Sequence, residues 1–387
     1  MLRAKFKYSE EKLNWMSGFD QILKISKEEE ATEIIQGILS GEKLTEKDAS
    51  KLFKSDLHLI TGFADYLREK QAGDYASFVI NRQINYSNIC ISRCKFCAFY
   101  RKSGEEGAYT MSREEILNKA SEAVAMDATE LHIVGSHNPD IPFEYYEGTL
   151  RQIKKKFPDI SIKGFTATEI HFFSNNFRMS TREVLERLKE AGLDFMPGGG
   201  AEILDDSIRK KLCPAKASSR EWLDVMKTAH ELGIKSNATM LFGHIEKPEQ
   251  RVKHMFRLMK LQEKTGGFLS FIPLVYHPEN NPLGREIGMK ASGVDILKTI
   301  AISRIVLGES FTNIRAYWIM LGKKLAQVAL RSGANDIDGT VLEEKVAHEA
   351  GASTSKSATV EELLAMIRKA GLKPVQRSTD YNIIRKW

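Results

Sequence analysis

The chain has 387 residues, of which 42% are hydrophobic and 28% are charged, and its formal net charge is +6. This composition is that of a globular protein with one large domain plus additions, or with two ordinary domains. No apolar run approaches the roughly eighteen residues of a membrane span, and no signal peptide is evident. The modest charge, without a basic run, argues against nucleic-acid binding but suits an acidic electron-transfer partner.

Residues 1–72 are predicted to form a helical N-terminal extension. Apolar residues recur at helical spacing through 31–39 and again through 49–66. Thr45, with Asp48 three residues later, resembles a capping box that opens a helix. Because the segment carries no cluster of chemically suggestive residues, we expect it to pack on the main domain.

From about residue 76 the pattern alternates between strands and helices, which predicts an α/β fold. Eight strand-like runs are each followed by a helical or turn segment, at 78–85, 131–134, 160–165, 193–196, 235–241, 268–275, 313–318 and 334–337. This order predicts a parallel (β/α)8 TIM-type barrel over residues 73–340. An open partial (β/α)6 barrel is the alternative, because the last two units have the weakest pattern. Residues 341–387 are predicted to be a helical C-terminal extension.

Three of the four cysteines, Cys90, Cys94 and Cys97, lie within eight residues after the first strand, whereas Cys213 lies apart. A closed zinc site needs four ligands, and a cubane iron–sulfur cluster usually takes one cysteine per iron. Three ligands therefore suggest a cluster with one iron open to a group that is not protein, with a structural zinc site as the alternative. The arrangement does not suggest a disulfide framework and favours a reducing cytoplasm. Cys213 is interpreted as a plain thiol, with a role in the site left open.

Polar residues and glycines follow almost every predicted strand. They comprise Gly135, Ser136, His137 and Asn138; Glu169; the 198–200 glycine run and Glu202; His244 and Glu246; His277; Tyr317 and Trp318; and Asp336 and Asp338. In a (β/α)8 barrel the carboxyl ends of the strands carry the chemistry. Structural roles are the alternative for each group: a tight turn for the glycines, helix N-terminal carboxylates for the glutamates, hydrogen bonding for the histidines and packing for the two aromatic residues.

The cysteine segment, residues 88–100, has the spacing C-x3-C-x2-C, with Phe96 just before the last cysteine. It resembles the cluster loop of the radical S-adenosylmethionine (radical SAM) enzymes, in the branch that makes menaquinone and deazaflavin. Residues 197–203, 236–246, 316–322 and 333–340 narrow the resemblance to the aminofutalosine synthase family. The similarity extends over roughly residues 75–350, which is most of the chain.

This resemblance implies that Cys90, Cys94 and Cys97 bind three irons of a [4Fe-4S] cluster. S-adenosyl-L-methionine (SAM) would chelate the fourth iron and yield a 5′-deoxyadenosyl radical after accepting an electron. The family adds this radical to 3-[(1-carboxyvinyl)oxy]benzoate, after which aryl migration and loss of carbon dioxide or bicarbonate give aminodeoxyfutalosine, on the futalosine route to menaquinone. The residues expected around SAM are Phe96, Gly135, Ser136, Glu169 and Glu202.

The two carboxylates of that substrate require cations or hydrogen-bond donors in the lumen. The residues expected to supply them are His244, His277 and Arg315. A reduced flavodoxin or ferredoxin is the expected electron donor. One departure from the family pattern occurs at Asn138, which stands where relatives carry the histidine of Gly-Gly-x-His-Pro.

Sibling enzymes are the main alternatives for the function. They are the dehypoxanthine futalosine cyclase and the deazaflavin synthase subunit that uses tyrosine, and we expect both to differ at residues 316–318. A non-catalytic iron–sulfur electron carrier is an alternative of another class. Such a carrier needs neither a barrel of this size nor an open iron.

Overall fold

The computed structural model of the chain describes residue 23 and residues 28–288 and 291–387. Within the described residues, three helices precede the first strand: α1 (Glu29–Ser40), α2 (Glu46–Leu52) and α3 (Leu57–Ala72). These helices lie within the predicted helical extension, residues 1–72, of which residues 1–22 and 24–27 lie outside the described residues. Helix α2 begins as predicted, because the Asp48 backbone N–H donates to Thr45 Oγ1 at 3.2 Å.

A curled sheet of six parallel strands forms the centre of the molecule, and its strands are neighbours in chain order. The strands are β2 (Asn81–Asn85), β3 (Glu130–Val134), β4 (Ser161–Gly164), β5 (Phe195–Met196), β6 (Lys235–Phe242) and β7 (Phe268–Val275). The helices between and after them are α4 (Arg113–Ala125), α5 (Phe143–Lys156), α6 (Ala167–Phe177), α7 (Thr181–Ala191), α8 (Asp206–Leu212), α9 (Ser219–Glu231), α10 (Pro248–Thr265), α11 (Pro282–Ile287) and α12 (Gly293–Leu307). Parallel neighbours require a long crossover connection, and the helices between successive strands provide it, so all six strands run in the same direction.

Single bridges extend this sheet toward a closed ring. Residues 314 and 315 pair in parallel with β7 and with β8 (Asp336–Gly339) respectively, and residue 342 pairs in parallel with residue 82 of β2. The regular sheet therefore has the six strands of the predicted partial barrel, and the seventh and eighth predicted strands contribute bridges that close it. The 313–318 run pairs at only two residues, because the chain turns into helix α13 (Trp318–Leu321) at its end.

A second sheet flanks the ring, with strand order β10, β9, β1, β8. It contains β1 (Tyr75–Val79), β9 (Lys373–Arg377) and β10 (Ile383–Lys386). Two corrections follow. The predicted first strand, 78–85, is divided at Ile80 between two sheets. The C-terminal extension, residues 341–387, is not wholly helical, because strands β9 and β10 accompany α15 (Val346–Glu349) and α16 (Val360–Lys369), whereas α14 (Lys323–Ala329) precedes it. Strand β9 pairs with β1, which lies almost 300 residues earlier in the chain, so no local sequence pattern predicts this pairing.

The helices follow from short-range signals. In α7, Ser180 accepts a hydrogen bond from the Glu183 N–H at 3.1 Å, and Gly192 ends the helix with φ of 115°. Glycine tolerates that left-handed conformation without the steric cost of a side chain. Apolar side chains of the helices and strands join in one continuous core that also includes α3 and α16. Within the described residues, none of the helices combines the length and apolar character that crossing a bilayer requires.

Candidate active site

A cavity of about 330 Å³ extends from the carboxyl ends of the strands down into the ring. Ten of the eleven residues that the sequence nominated line this cavity: Cys90, Cys94, Phe96, Cys97, Gly135, Ser136, Glu169, Glu202, His277 and Arg315. His244 does not line it. The parallel strands bring together residues that lie far apart in the chain, because their carboxyl ends meet at one edge.

The cysteine loop, residues 90–97, is held by backbone hydrogen bonds at the mouth of the cavity. The Cys90 N–H donates to Arg101 O at 3.0 Å, and the Lys95 N–H donates to Leu212 O at 2.9 Å. All three thiols of the loop are free. The loop is therefore anchored to α8 on one side and to the following chain on the other, with its thiols facing the cavity.

The surroundings of these thiols fit an anionic iron–sulfur cluster. Burial raises the pKa of Cys94 well above its usual value, and the nearby Lys216 ammonium opposes that rise. Lys216 lines the same cavity, and its Nζ lies 5.3 Å from the centre of the Phe96 ring. A buried cation offsets the charge of several thiolates in a low-dielectric site. Among the described residues, no three His, Cys, Asp or Glu side chains form a site for a single metal ion.

His137 supports the cysteine loop from beneath. Its Nδ1 lies 2.7 Å from Ser92 Oγ, and its backbone carbonyl accepts the Ile91 N–H at 3.0 Å. The ring stacks on Phe172 with 4.9 Å between centroids. Burial lowers the pKa of His137 to about 3, so the ring is neutral at physiological pH. Asn138, at the position where the sequence departs from the family, instead donates to Thr110 Oγ1 at 3.2 Å.

Glu169 joins two strand ends. Its carboxylate accepts hydrogen bonds from the Gly135 N–H at 3.0 Å, the Tyr86 hydroxyl at 2.7 Å and the Thr166 N–H at 2.7 Å. It also completes a capping box at the start of α6. The structural alternative for this glutamate, a helix N-terminal carboxylate, is therefore realised. Few of its acceptor positions remain for a ligand.

Glu202 has the environment expected of a ligand-binding carboxylate. It accepts a hydrogen bond from Lys216 Nζ at 2.8 Å, and both side chains line the cavity. Its backbone lies in the left-handed region, with φ of 45°. The neighbouring glycine run packs tightly: a Cβ at Gly198 would lie 2.7 Å from the backbone of β6, and one at Gly200 would lie 2.5 Å from Thr168.

The placement of His244 corrects the sequence prediction. Its side chain is fully buried beside Glu246, with 2.8 Å between Nδ1 and Oε2, and its Nε2 lies 3.0 Å from Leu241 O. Gly243, with φ of 86°, turns the chain so that the imidazole folds back against the end of β6. His244 is therefore turned toward Glu246 and the end of β6 and is not among the residues that line the cavity.

Arg315 and His277 both line the cavity and both have protein partners. Arg315 donates to Asp338 Oδ1 at 2.8 Å and to the Tyr381 hydroxyl at 2.9 Å, and its Nε lies 3.1 Å from Asp336 Oδ1. His277 Nε2 lies 3.0 Å from Met320 O. Nearby, Trp318 is buried and donates to Gly339 O at 2.9 Å, which is a packing role.

Sequence reasoning missed several polar residues of the cavity wall, among them Gln83, His132, Lys163 and Lys216. Gln83 and His132 each lie two residues from another cavity residue of the same strand, Asn85 and Val134 respectively, and this period of two is the signal that could have found them. Lys216 lies in a loop before α9, where no periodicity exists. Cys213 is buried and does not line the cavity, so it remains a plain thiol.

Comparison with known proteins gives consistent results. A family model of the radical SAM superfamily matches residues 84–259, and one of the CofH/MqnC C-terminal region matches residues 265–387. An aminodeoxyfutalosine synthase of Thermus thermophilus is 44% identical over 357 residues, which cover 92% of this chain and 96% of that protein. A 5-amino-6-(D-ribitylamino)uracil–L-tyrosine 4-hydroxyphenyl transferase of Methanothermobacter thermautotrophicus is 44% identical, covering 85% and 90%. The crystal structure of a methylornithine synthase has a TM-score of 0.69 at 18% identity, covering 88% and 97%.

Proposed function

Because this chain belongs to the radical SAM superfamily, in the branch that contains its aminodeoxyfutalosine synthase and 4-hydroxyphenyl transferase relatives, we propose that it is an aminofutalosine synthase. The reaction adds the 5′-deoxyadenosyl group of SAM to the enolpyruvyl double bond of 3-[(1-carboxyvinyl)oxy]benzoate. Aryl migration and loss of carbon dioxide or bicarbonate then give aminodeoxyfutalosine for menaquinone biosynthesis. SAM is therefore a substrate as well as the radical source.

One observation carries the proposal: three free thiols open onto a cavity that continues into the lumen of the ring. Cys90, Cys94 and Cys97 would hold a [4Fe-4S] cluster at the mouth. When bound, that cluster supplies the electron that cleaves SAM into methionine and the 5′-deoxyadenosyl radical. The lumen below provides space for a second substrate.

The protein would position SAM and exclude water from its surroundings. Gly135 allows close backbone approach at the end of β3, and Ser136 lies beside it, next to the thiols. The Lys216–Glu202 pair offers an ammonium for the methionine carboxylate and a carboxylate for the ribose hydroxyls. Phe96 supplies an apolar face for the adenine. Glu169 would orient Gly135 rather than contact the ribose.

The substrate carboxylates need donors in a desolvated site. Arg315 and His277 line the cavity and are the members of the predicted set that can contribute. His244 is left out of the proposed set because it is not among the residues that line the cavity. The identity of the substrate remains part of the proposal, since fold does not fix it.

A 4-hydroxyphenyl transferase is the second candidate, because relatives with that activity reach the same 44% identity as the synthase. We also propose a reduced flavodoxin or ferredoxin as electron donor. A cytoplasmic location is part of the proposal, since free thiols persist in a reducing compartment.

Anaerobic reconstitution tests the function. Supplied with dithionite, SAM and 3-[(1-carboxyvinyl)oxy]benzoate, the enzyme is expected to convert both organic substrates into one adenosyl adduct, detected by mass spectrometry. Cys94→Ala should abolish the reaction, whereas Cys213→Ala, outside the cavity, should retain it. Free 5′-deoxyadenosine without an adduct would contradict the synthase assignment, and adduct formation from L-tyrosine and 5-amino-6-(D-ribitylamino)uracil would support the second candidate.

A further inference from the structure

A row of three polar side chains crosses the lumen wall below the thiols. Gln83 on β2 pairs in register with His132 on β3, and His132 pairs with Lys163 on β4. All three line the cavity. They lie within the strands, whereas the cysteine loop follows the end of β2. The row therefore lies deeper in the cavity than the mouth, in the part that also contains Asn81, and this part is called the floor here.

Donor capacity remains at this floor. His132 Nε2 is buried and has no hydrogen-bond partner within the described part of the chain. Burial and the nearby Lys163 charge lower the pKa of His132 to about 3, so the ring is neutral and carries one N–H. Lys163 Nζ bonds Glu130 Oε1, and an ammonium has three hydrogens to donate. A buried polar atom left without a partner is costly, and the remaining hydrogens of the Lys163 ammonium are donors, so an acceptor from a ligand is favoured there.

The charges around the floor are arranged with the cations toward the cavity. Lys163 and Arg315 both line it. Their partners Glu130 and Asp336 are fully buried and are not among the lining residues, so these acids lie behind the cations. Asp338 is the carboxylate that shares the wall with Arg315. A ligand entering the lumen therefore meets mostly donors at this depth.

The cavity wall also contains apolar side chains. Val134, two residues beyond His132 toward the carboxyl end of β3, lines the cavity opposite Asn85 of β2, and Leu241, Ile272 and Leu274 line it from β6 and β7. These apolar side chains suit the faces of an aromatic ring. A ligand with an aryl group in the middle and a carboxylate at its far end would match both zones.

We propose that Gln83, His132 and Lys163, beside Arg315, form the subsite for the aryl carboxylate of the substrate. This inference rests on the proposed function and deepens it. The benzoate carboxylate binds at the floor, the ring lies against the apolar wall, and the enolpyruvyl group remains near the mouth, where the adenosyl radical forms. These residues position the substrate and take no part in bond making.

The test compares two substrates. One is 3-[(1-carboxyvinyl)oxy]benzoate, and the other is the same enolpyruvyl ether of phenol, which lacks the aryl carboxylate. The holoenzyme should prefer the carboxylated substrate in kcat/KM and in equilibrium Kd, by on the order of 10- to 100-fold for a charge-assisted contact. His132→Leu and the double variant Glu130→Gln/Lys163→Met should lose most of this preference, measured as the ratio of the constants for the two substrates. The double variant removes both charges, so that no carboxylate is left buried and unpaired.

His171→Leu is the matched control, because His171 lies on α6 outside the cavity wall. It should keep the wild-type preference, and melting temperatures would report any general loss of folding. A wild-type preference retained by both floor variants would overturn the subsite. An absence of adenosyl adducts with both substrates in the wild-type enzyme would instead overturn the proposed function.

Discussion

Three glutamates that follow strand ends differ in the hydrogen-bond donors that surround them. Glu169, Glu202 and Glu246 all follow strand ends, yet their partners differ. Glu169 satisfies backbone and hydroxyl donors, and Glu246 bonds two backbone N–H groups and Arg251. Glu202 pairs with a cavity lysine and faces the ligand space. The same residue type at the same kind of position thus has different partners, according to the donors around it.

Gly135 illustrates a requirement set by close packing. A Cβ at this position would lie 2.4 Å from Cζ of Tyr86, whose ring is fixed by a hydrogen bond to Glu169 and by neighbouring aromatic rings. Gly135→Ala is therefore expected to destabilise the protein by about 1–3 kcal/mol through overpacking. Denaturant unfolding measures the loss.

Gly293→Ala is the matched control for this change. No atom lies within 4 Å of its Cβ position, and the residue begins helix α12. Its effect should stay within about 0.5 kcal/mol. Equal stabilities of the two variants would show that the Tyr86 contact does not restrict position 135.

At the scale of elements, Glu246 joins the end of β6 to two helices. It bonds Arg251 Nε on α10 at 2.7 Å, and Arg251 in turn bonds Asp295 on α12 at 2.7 Å. Although burial opposes ionisation, the hydrogen bonds and charge of His244 and the charge of Arg251 lower the pKa of Glu246 from 4.5 to about 2. The turn after β6 is therefore held by an ionised carboxylate.

This coupling predicts a pH dependence of stability. A depressed pKa contributes stability above the unfolded value of 4.5, and the contribution is lost as the pH falls toward about 2. Glu246→Gln should therefore cost about 3 kcal/mol at neutral pH, and the gap to wild type should narrow below pH 4.5. Denaturant unfolding at several pH values measures this gap. Glu249→Gln, on the exposed side of α10, is the control, and its unfolding free energy should hardly differ from that of wild type. A difference between Glu246→Gln and wild type that stays constant with pH would refute the linkage.

At the scale of the whole molecule, the C-terminal strands complete the ring from outside. Strand β9 pairs with β1, and β1 pairs with β8. Arg377 of β9 is buried and bonds both carboxylate oxygens of Asp336, which also lies 3.1 Å from Arg315 Nε. The end of the chain is thus connected through charges to the lumen.

Arg377→Met is expected to destabilise the whole molecule by about 3 kcal/mol, because it removes one partner of a buried ion pair. Denaturant unfolding measures the change. Arg385→Met on the exposed strand β10 is the control and should have little effect. An Arg377→Met variant as stable as the control would contradict this role of the C-terminal strand.

Much of the fold followed from local patterns. Thr45, Ser112 and Gly192 mark helix ends through hydrogen bonds and backbone conformations that depend on a few neighbouring residues. The alternation of strands and helices predicted the parallel ring because such connections permit little else. Strands β9 and β10 were missed, because their pairing depends on distant residues.

The sequence by itself determined the three-thiol loop, its position at a strand end and the family to which those features belong, because the chemistry depends on residue types at fixed short spacings. Tertiary structure decided the rest of the site. It buried His244, placed Lys216 beside Glu202, and aligned His132 with Lys163 across two strands. These relations depend on strand register and on which side chains point into the lumen, and both are set by the closure of the ring rather than by any single stretch of the chain.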